Sequence, residues 1–450
     1  MTQAARAPQE RRFSVAQLAL IIPWVALVIG AWGPISDNSF LWHVRAGTVQ
    51  AAQGSVLTSD PFSFTMSGEP WLTQSWLVEL FYGWAEGLTG LGFVPFTILI
   101  VGLLTFLGIG VIAYRNSKSP TATAIVLVLG VLVLISFFVP RPVIYSYLLM
   151  VLVMVAWDHP TTRWAVPFLF WIWASVHASF LIGLGYVGLS ILMQREWREI
   201  PKAIAAGLVT LATAHGLGAV NFLLDFVQSR DALRYLTEWR RPGLDDVMFI
   251  PLLGTLVYGV IGFVRRAVPW RYLWVFIPFG VLGFTSVRAI PAAWLGLLPV
   301  LGLSLSGLEL GSRAGLRRNL AAVFGIFVLA LPFFLTKEAS LSEETFPTAA
   351  VTRLGDKPTF HDDRVGGFLI WAEGPDRPVY IDDRAELYGD RIHEFFQVRT
   401  GQIDWKPVFD RDGIEQVLLA NTEDLIPELM ESGWDTAYRD EYFTVLRNDA

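Results

Sequence analysis

Long apolar segments separated by short polar joints run from about residue 14 to residue 335. A helix needs about 20 apolar residues to cross a hydrocarbon core about 30 Å thick, and these segments reach or approach that length. The pattern predicts eleven membrane spans, at residues 14–34, 91–114, 121–139, 142–157, 163–178, 179–193, 203–224, 247–264, 271–287, 289–308 and 319–335. The short spans beside Arg141 and His177 leave tilted or re-entrant segments open as an alternative.

Composition supports a polytopic α-helical membrane protein with a separate polar domain. Hydrophobic residues make up 53% of the chain and charged residues 16%, and the mean hydropathy is +0.48. From residue 336 onwards there are 12 basic and 25 acidic residues, against 22 basic and 15 acidic residues before it. We therefore predict a cytoplasmic tail (1–13), a transmembrane domain (14–335) with a first outer loop (35–74), and a soluble C-terminal α/β domain (336–450).

The same composition excludes several classes of function. Nucleic acid is disfavoured as a partner, because polyanions bind to clustered cations and the polar domain is acidic. The chain has no cysteine, so disulfides, thiolate metal sites and thiol catalysis are excluded. It also has no Gly-rich phosphate loop, no His-Glu-x-x-His motif and no nucleophile elbow, which disfavours nucleotide-driven transport.

Basic residues in the joints predict the orientation of the spans, because Lys and Arg collect on the cytoplasmic side of a membrane. If the spans alternate, one side receives Arg6, Arg11, Arg12, Arg115, Lys118, Arg163, Arg195, Arg198, Lys202, Arg265, Arg266, Arg271, Arg313, Arg317 and Arg318. The N-terminus is then cytoplasmic, and the first outer loop and the C-terminal domain lie outside the plasma (inner) membrane. The first span lacks a clear cleavage site and is expected to remain as a signal anchor.

Seven basic residues fall on the predicted outer side, against this rule: Arg45, Arg141, Arg230, Arg234, Arg240, Arg241 and Arg288. Arg141 and Arg288 lie in joints too short to leave the membrane surface. A cation at that depth is costly unless it meets an anion or a water-filled cavity, although a single arginine can also reach lipid headgroups. Seven together favour a functional interpretation.

The first outer loop begins with Asp37 directly after the first span. Phe40, Leu41, Val44 and Val49 recur near helical spacing, which predicts an amphipathic helix in the membrane interface. This interpretation gives no reason for an acidic residue at position 37 or for His43 and Arg45. Asp60, which precedes a proline, is typical of a turn.

Several segments together resemble bacterial polytopic proteins of the GT-C glycosyltransferase superfamily. They are Asp37–Gly47, Asp60-Pro61-Phe62-Ser63, Trp76-Leu77-Val78-Glu79, Arg141–Tyr147, Val176–Phe180, Glu238-Trp239-Arg240 and Val287–Pro291. The resemblance covers most of residues 14 to 300. It implies a membrane enzyme that takes a sugar from a polyprenyl-phosphate donor, and it implies Asp37 as the acidic catalytic residue of the first outer loop.

The resemblance also raises the question of a metal. Related proteins often carry a second acidic residue near the first, whereas this sequence has Asn38 and Ser39 there. Asp60 is the alternative second carboxylate, so Asp37 and Asp60 are the candidate ligands of a divalent cation such as Mg²⁺ or Mn²⁺.

Glycosyl transfer from a lipid phosphate requires a base for the acceptor proton and cations for the leaving phosphate. Asp37 is the predicted base. Arg141, Arg240 and Arg288 are the predicted phosphate ligands, since guanidinium matches phosphate oxygens. The remaining predicted substrate-binding residues are Arg45, His177, Glu238 and Trp239, the last two as part of a lid. His43 and His177 are each open to sugar binding, a second base, metal ligation or a structural role.

The polar C-terminal domain is predicted to contain strands at Pro378–Ile381, Ile414–Leu419 and Tyr442–Leu446 and a helix at 422–432. Acidic pairs occur in Asp382-Asp383-Arg384-Ala385-Glu386 and in His361-Asp362-Asp363-Arg364. They are open to three interpretations: a divalent cation site, a grip on a polar acceptor, or a charged junction in an acidic domain. We expect this domain to recognise the acceptor or to cover the cavity.

The sequence thus predicts a glycosyltransferase that acts on an extracytoplasmic acceptor of the cell envelope, such as a glycan, a lipid or a protein. Its expected partners are the lipid-linked donor and the surrounding membrane lipids. The alternatives are a transporter or flippase of lipid-linked saccharides, and an enzyme similar to an O-antigen ligase. The ionisable residues gather at one face rather than at the bilayer midplane, which disfavours a transporter.

Overall fold

The computed structural model describes residues 21–218, 237–308 and 339–448, together with Gly325. The first two ranges contain twelve α-helices: α1 (Ile22–Trp32), α2 (Phe40–Gln53), α3 (Trp76–Thr89), α4 (Phe93–Ser117), α5 (Pro120–Leu134), α6 (Val143–Trp157), α7 (Val166–Val176), α8 (Phe180–Gln194), α9 (Ile200–Val209), α10 (Phe249–Val264), α11 (Leu273–Leu282) and α12 (Ile290–Ser304).

Ten of the eleven predicted spans lie wholly or partly in the three described ranges, and each of these ten overlaps one of the helices. The span predicted at 319–335 lies outside the described residues apart from Gly325. Among the described residues, three helical segments are long and apolar enough to cross a membrane, namely Trp76–Ser117, Pro120–Phe137 and Val287–Ser304. Shorter apolar helices of 10–17 residues accompany them.

The membrane helices pack around α4 and α12. Trp294 of α12 is fully buried, and its indole Nε1 donates a hydrogen bond to Thr255 Oγ1 of α10 at 3.0 Å. The outward positions carry large apolar side chains, of which Val264 is 74% exposed and Phe168 61% exposed. Apolar residues on both the inside and the outside are expected of helices surrounded by lipid.

Ion pairs join several of the joints that were assigned to the cytoplasmic side. Arg115 at the end of α4 lies 3.3 Å from Asp158, which follows α6. Arg163 lies 2.8 Å from Glu196 and 3.3 Å from Glu199, both between α8 and α9. The predicted alternation of the spans therefore brings these joints to a common end.

The helix predicted in the first outer loop forms, but it is not an interfacial helix. Phe40, Leu41 and Val44 of α2 are fully buried. One face of α2 packs closely on α3, and Gly367 of the C-terminal domain packs against the start of α2. The prediction of an interfacial helix is wrong because α3, the start of α4 and the C-terminal domain, rather than lipid, cover its apolar residues.

The C-terminal residues fold around a four-stranded sheet of order β1-β2-β4-β3, formed by β1 (Thr359–His361), β2 (Gln416–Ala420), β3 (Asp435–Arg439) and β4 (Phe443–Arg447). β1 is parallel to β2, and the other pairs are antiparallel. The helices are α13 (Asp363–Glu373), α14 (Ala385–Tyr388), α15 (Asp390–Arg399), α16 (Trp405–Asp412) and α17 (Leu425–Glu431). The predicted strands near 414–419 and 442–446 and the predicted helix near 422–432 are confirmed.

The strand predicted at 378–381 is wrong, and its residues serve another purpose. Val379 pairs with the first outer loop: its amide donates to the carbonyl of Phe62 at 2.8 Å, and its carbonyl accepts from the amide of Phe64 at 3.0 Å. The apolar, extended character of the segment is used to dock the C-terminal domain on the loop.

Candidate active site

A cavity of about 1160 Å³ lies between the membrane helices, the first outer loop and the C-terminal domain. The membrane helices and their ends give it an apolar wall that includes Val143, Met150, Leu181, Ile182, Leu282, Ala292 and Leu295. The loops and the C-terminal domain give it a polar wall. A cavity with one apolar and one charged wall suits an amphipathic ligand.

Two arginines converge on one carboxylate in the polar wall. Arg141 Nη1 donates to Glu238 Oε1 at 2.8 Å, and Arg288 Nη1 donates to Glu238 Oε2 at 3.3 Å. The Arg288 guanidinium also lies over the ring of Trp239, 5.5 Å from its centre. The turn at Thr237–Trp239 is held beside Arg288 because the amide of Val287 donates to the carbonyl of Arg240 at 3.0 Å. Arg141, Glu238, Trp239 and Arg288, four of the predicted site residues, therefore line one cavity.

Asp37 supports Arg141 rather than facing the cavity. Its Oδ2 accepts from Arg141 Nε at 2.6 Å, and its Oδ1 accepts from the amide of Phe40 at the start of α2 at 3.0 Å. Asn38 Oδ1 accepts a further bond from Arg141 Nη2 at 3.0 Å. Asp37 is only 8% exposed and is absent from the described residues that line the cavity. Its geometry therefore fits a positioning residue better than the predicted base.

Asp60 is likewise not at the cavity. Its carboxylate accepts from the amides of Phe62 and Ser63, as expected of a turn, and pairs with Arg384 Nη1 at 2.8 Å. The side chains of Asp60 and Arg384 are both fully buried. The structure does not support Asp60 as a catalytic residue, because its oxygens are occupied by these donors.

The same contacts bear on the predicted metal site. Asp37 pairs with the guanidinium of Arg141 and Asp60 with that of Arg384, and each pair satisfies the carboxylate without a metal ion. Among the described residues, no three His, Asp or Glu side chains are grouped so that they could hold a metal ion. The Asp37–Asp60 pair therefore does not fit a divalent cation, and a requirement for Mg²⁺ or Mn²⁺ stays a prediction.

Two histidines line the cavity with different partners. His43 Nδ1 lies 2.8 Å from Glu79 Oε1, and the fully buried Glu79 side chain also accepts from Gln50 Nε2 at 2.8 Å and from the hydroxyl of Thr73. His177 Nδ1 accepts from the amide of Ser179 at 3.2 Å, so Nε2 carries the proton of the neutral ring. Glu79 was part of the motif that carried the resemblance, but its pairing with His43 was not foreseen.

Two predicted substrate ligands lie elsewhere. Arg240 pairs with Asp246, with an Nη2–Oδ1 distance of 2.5 Å and an Nη1–Oδ2 distance of 3.0 Å. Arg45 donates from Nε to the carbonyl of Ile370 in α13 at 3.3 Å. Neither is among the described residues that line the cavity, because acceptors nearby in the loop and in the C-terminal domain turn them away from it. The assignment of Arg240 to phosphate binding and of Arg45 to substrate binding is not supported.

The C-terminal domain also lines the cavity, with residues that were not assigned to the site from the sequence. Among them are Asp363, Asp383, Arg384, Glu386 and Arg399. Burial and the neighbouring Asp362 raise the pKa of the Asp363 carboxyl. Burial also raises the pKa of Asp383, against the opposing effect of Arg141. The acidic pairs at 362–363 and 382–383 were the sequence signal for this wall. Asp363 and Asp383 line the cavity, whereas Asp362 pairs with Arg364 and Asp382 with Arg384. This placement favours the interpretation as a grip on a polar acceptor.

Comparisons with known proteins identify the architecture. No protein-family profile and no curated protein matches the sequence. The chain is similar to the crystal structure of ArnT from Cupriavidus metallidurans bound to undecaprenyl phosphate, with a TM-score of 0.52 and 13% identity over 96% of this chain and 98% of that chain. The apo structure of the same protein gives a TM-score of 0.53 and 12% identity over 95% and 97%.

These values describe a shared fold over nearly the whole length of both proteins. The predicted fold class, a helical membrane protein with a small C-terminal α/β domain, is confirmed. The chain therefore has an ArnT-like fold.

Proposed function

We propose that the protein transfers a sugar from a polyprenyl-phosphate donor to an extracytoplasmic acceptor of the cell envelope, such as a glycan, a lipid or a protein. The observation that carries this proposal is the convergence of Arg141 and Arg288 on one carboxylate in a cavity that also has an apolar wall. A phosphate on an isoprenoid chain has the matching combination of charge and apolar surface. ArnT, which shares the fold, was crystallised with undecaprenyl phosphate.

In the proposed reaction, the two arginines stabilise the negative charge that develops on the leaving phosphate. When the bond between the sugar C1 and the phosphate oxygen breaks, its electron pair stays on that oxygen, and the negative charge of the phosphate grows. Arg141 and Arg288 stabilise this charge in the cavity, where water screens it less than in bulk solvent. Asp37 and Asn38 hold the Arg141 guanidinium in place. We assign contact with the sugar to His177 and Trp239, which line the cavity, and binding of the isoprenoid chain to the apolar wall.

The proposal can be tested with purified protein in nanodiscs and a panel of undecaprenyl phosphates that carry radiolabelled hexoses or pentoses, with cell-envelope fractions as acceptors. We expect wild-type protein to form a labelled product and to release undecaprenyl phosphate. Arg141→Gln and Arg288→Gln should each lower the transfer rate by about 100-fold or more, since each removes a stabilising charge from the transition state. Arg240→Gln is the matched control: Arg240 pairs with Asp246 outside the cavity, so transfer should be retained.

The outcomes separate the two classes of function. Equal transfer by wild type, Arg141→Gln and Arg288→Gln contradicts the assigned phosphate site. Movement of the intact labelled donor across the bilayer, with no release of undecaprenyl phosphate, contradicts an enzyme and supports a transporter.

A further inference from the structure

Asp383 of the C-terminal domain reaches the cavity and is oriented there by the first outer loop. Its Oδ1 accepts a hydrogen bond from Trp42 Nε1 at 2.8 Å, and its Oδ2 accepts from the hydroxyl of Ser39. A carboxylate has about four lone-pair sites, so both oxygens keep the capacity to accept another proton donor. The carboxylate is therefore fixed in direction and still able to react.

The other cavity carboxylates are less suited to take a proton. Among the described residues that line the cavity they are Glu79, Glu238, Asp363 and Glu386. Glu79 is fully buried behind His43, and Glu238 bridges two arginines. Asp363 faces Arg399 at 3.4 Å, and Glu386 interacts with Arg384, Asp383 and Trp71.

Adjacent residues of the first outer loop bind Arg141 and Asp383: Asn38 accepts from Arg141, and the hydroxyl of Ser39 donates to Asp383. Both side chains line the same cavity, so Asp383 shares it with the guanidinium that we assign to the donor phosphate. Burial raises the pKa of Asp383, Arg141 lowers it, and Asp382 and Asp37 raise it, with a net increase over an ordinary aspartate. A more basic carboxylate is a better proton acceptor at neutral pH. The pKa values of Asp363 and Glu386 are raised as well, so the contacts of Asp383 with Ser39 and Trp42 are what distinguish it.

We propose that Asp383 is the catalytic base of the sugar transfer, in place of an acidic residue of the first outer loop. This inference rests on the proposed function. The acceptor oxygen forms a bond to the sugar C1 as the bond from C1 to the phosphate oxygen breaks. The acceptor proton passes to a carboxylate oxygen of Asp383, and the electron pair of the broken bond leaves with the polyprenyl phosphate.

The test is Asp383→Asn in the nanodisc transfer assay. The amide keeps the shape of the side chain: its oxygen can accept from Trp42, and its nitrogen can donate to the Ser39 hydroxyl. We expect the transfer rate to fall by about 100-fold or more, whereas binding of undecaprenyl phosphate changes by less than about threefold. Asp376→Asn, on an exposed loop of the same domain, is the matched control and should leave both quantities unchanged.

Azide distinguishes a base from a positioning residue. Azide attacks C1 without losing a proton, so Asp383→Asn should form the glycosyl azide at a rate close to that of wild type, and Arg141→Gln should not. Asp383→Glu retains a carboxylate and should transfer faster than Asp383→Asn, which guards against a folding defect in a single variant.

Three results overturn the assignment while leaving sugar transfer by the wild type in place: unchanged transfer by Asp383→Asn, failure of azide to restore its product, or an equal loss in the Asn and Glu variants. If the wild type itself transfers no sugar from any donor of the panel, the proposed function fails and the role of Asp383 fails with it.

Discussion

At the scale of single residues, Glu238 decides how strongly the cavity attracts an anion. Burial raises the pKa of its carboxyl, but Arg141 and Arg288 lower it more, so that the net pKa lies below that of an ordinary glutamate. Glu238 is therefore ionised at neutral pH and compensates both guanidiniums. A donor phosphate must compete with this carboxylate for the same hydrogen-bond donors.

Glu238→Gln should consequently strengthen the binding of polyprenyl phosphate. The amide keeps the size of the side chain but removes the negative charge that both arginines share, so that, among the described residues, Arg141 is left with Asp37 alone as a carboxylate partner. We expect the Kd for undecaprenyl phosphate in nanodiscs to fall by about tenfold, which corresponds to about 1.4 kcal/mol. Asp245→Asn, at a side chain that is 77% exposed beside Arg240, is the control for a lost surface charge and should leave the Kd unchanged. Weaker binding in Glu238→Gln would show that the carboxylate helps the ligand rather than competing with it.

Some residues of the site could be predicted from the sequence because they are charged side chains at positions where a membrane protein rarely has them. Arg141 and Arg288 lie in joints where a cation is costly, and this cost correctly indicated a cavity. There both arginines pair with the carboxylate of Glu238. Asp37, Asp60 and Arg240 were also predicted as site residues from the sequence. Their ion-pair partners in the fold, Arg141, Arg384 and Asp246, hold them outside the cavity lining. The partner of Asp60 is Arg384, 324 residues away, and no spacing rule connects the two.

At the scale of elements, the site depends on the close approach of α2 and α3, which carry His43 and Glu79. The two helices cross at Gly47 and Gly83. A Cβ atom on Gly47 would lie 1.7 Å from the carbonyl oxygen of Glu79, and one on Gly83 would lie 2.4 Å from the amide of Thr48. Only glycine allows the backbones to approach this closely, so the crossing fixes the distance between His43 and Glu79.

Gly47→Ala should separate α2 from α3 and weaken the site. The obstructing atoms belong to the backbone and cannot move aside like a side chain, so we expect destabilisation of about 1–3 kcal/mol together with reduced sugar transfer. Gly87→Ala on α3 is the matched control, because no atom lies within 4 Å of the added Cβ. This control should be neutral or slightly stabilising, since alanine favours a helix. Thermal unfolding in detergent measures both variants, and an equal Tm for Gly47→Ala and wild type would contradict the close crossing.

Element prediction succeeded where the local pattern was sufficient. The apolar spans and the strands β2 and β4 have strong periodic or continuous apolar patterns, and the described residues contain a helix in ten of these spans and both strands. The pattern of α2 was also interpreted correctly as a helix, but the surface against which it packs was not. An apolar helix face has the same pattern under lipid and under a protein domain, so only the tertiary structure distinguishes the two.

At the scale of the whole molecule, the C-terminal domain completes the cavity and is held there by Arg384. The guanidinium bridges Asp382 of its own domain, at 2.6 Å, and Asp60 of the first outer loop, at 2.8 Å. It also lies 4.4 Å from the centre of the Trp71 ring. A buried arginine with two carboxylates and an aromatic face fixes the orientation of the domain as well as its position. From the sequence, the domain was expected to recognise the acceptor or to cover the cavity. That it would supply residues such as Asp383 to the cavity wall was not predicted.

The orientation of the whole molecule in the membrane determines which pool of substrates the cavity meets. We expect the C-terminal domain to be extracytoplasmic and the joint before α9 to be cytoplasmic, because most basic joint residues fall on the side of that joint. The absence of native cysteine permits a direct measurement with single cysteines at the exposed positions Asp376→Cys and Arg198→Cys. A membrane-impermeant maleimide should label Asp376→Cys in intact cells and Arg198→Cys only after permeabilisation. The opposite pattern would place the cavity on the cytoplasmic side, where an extracytoplasmic acceptor could not reach Asp383.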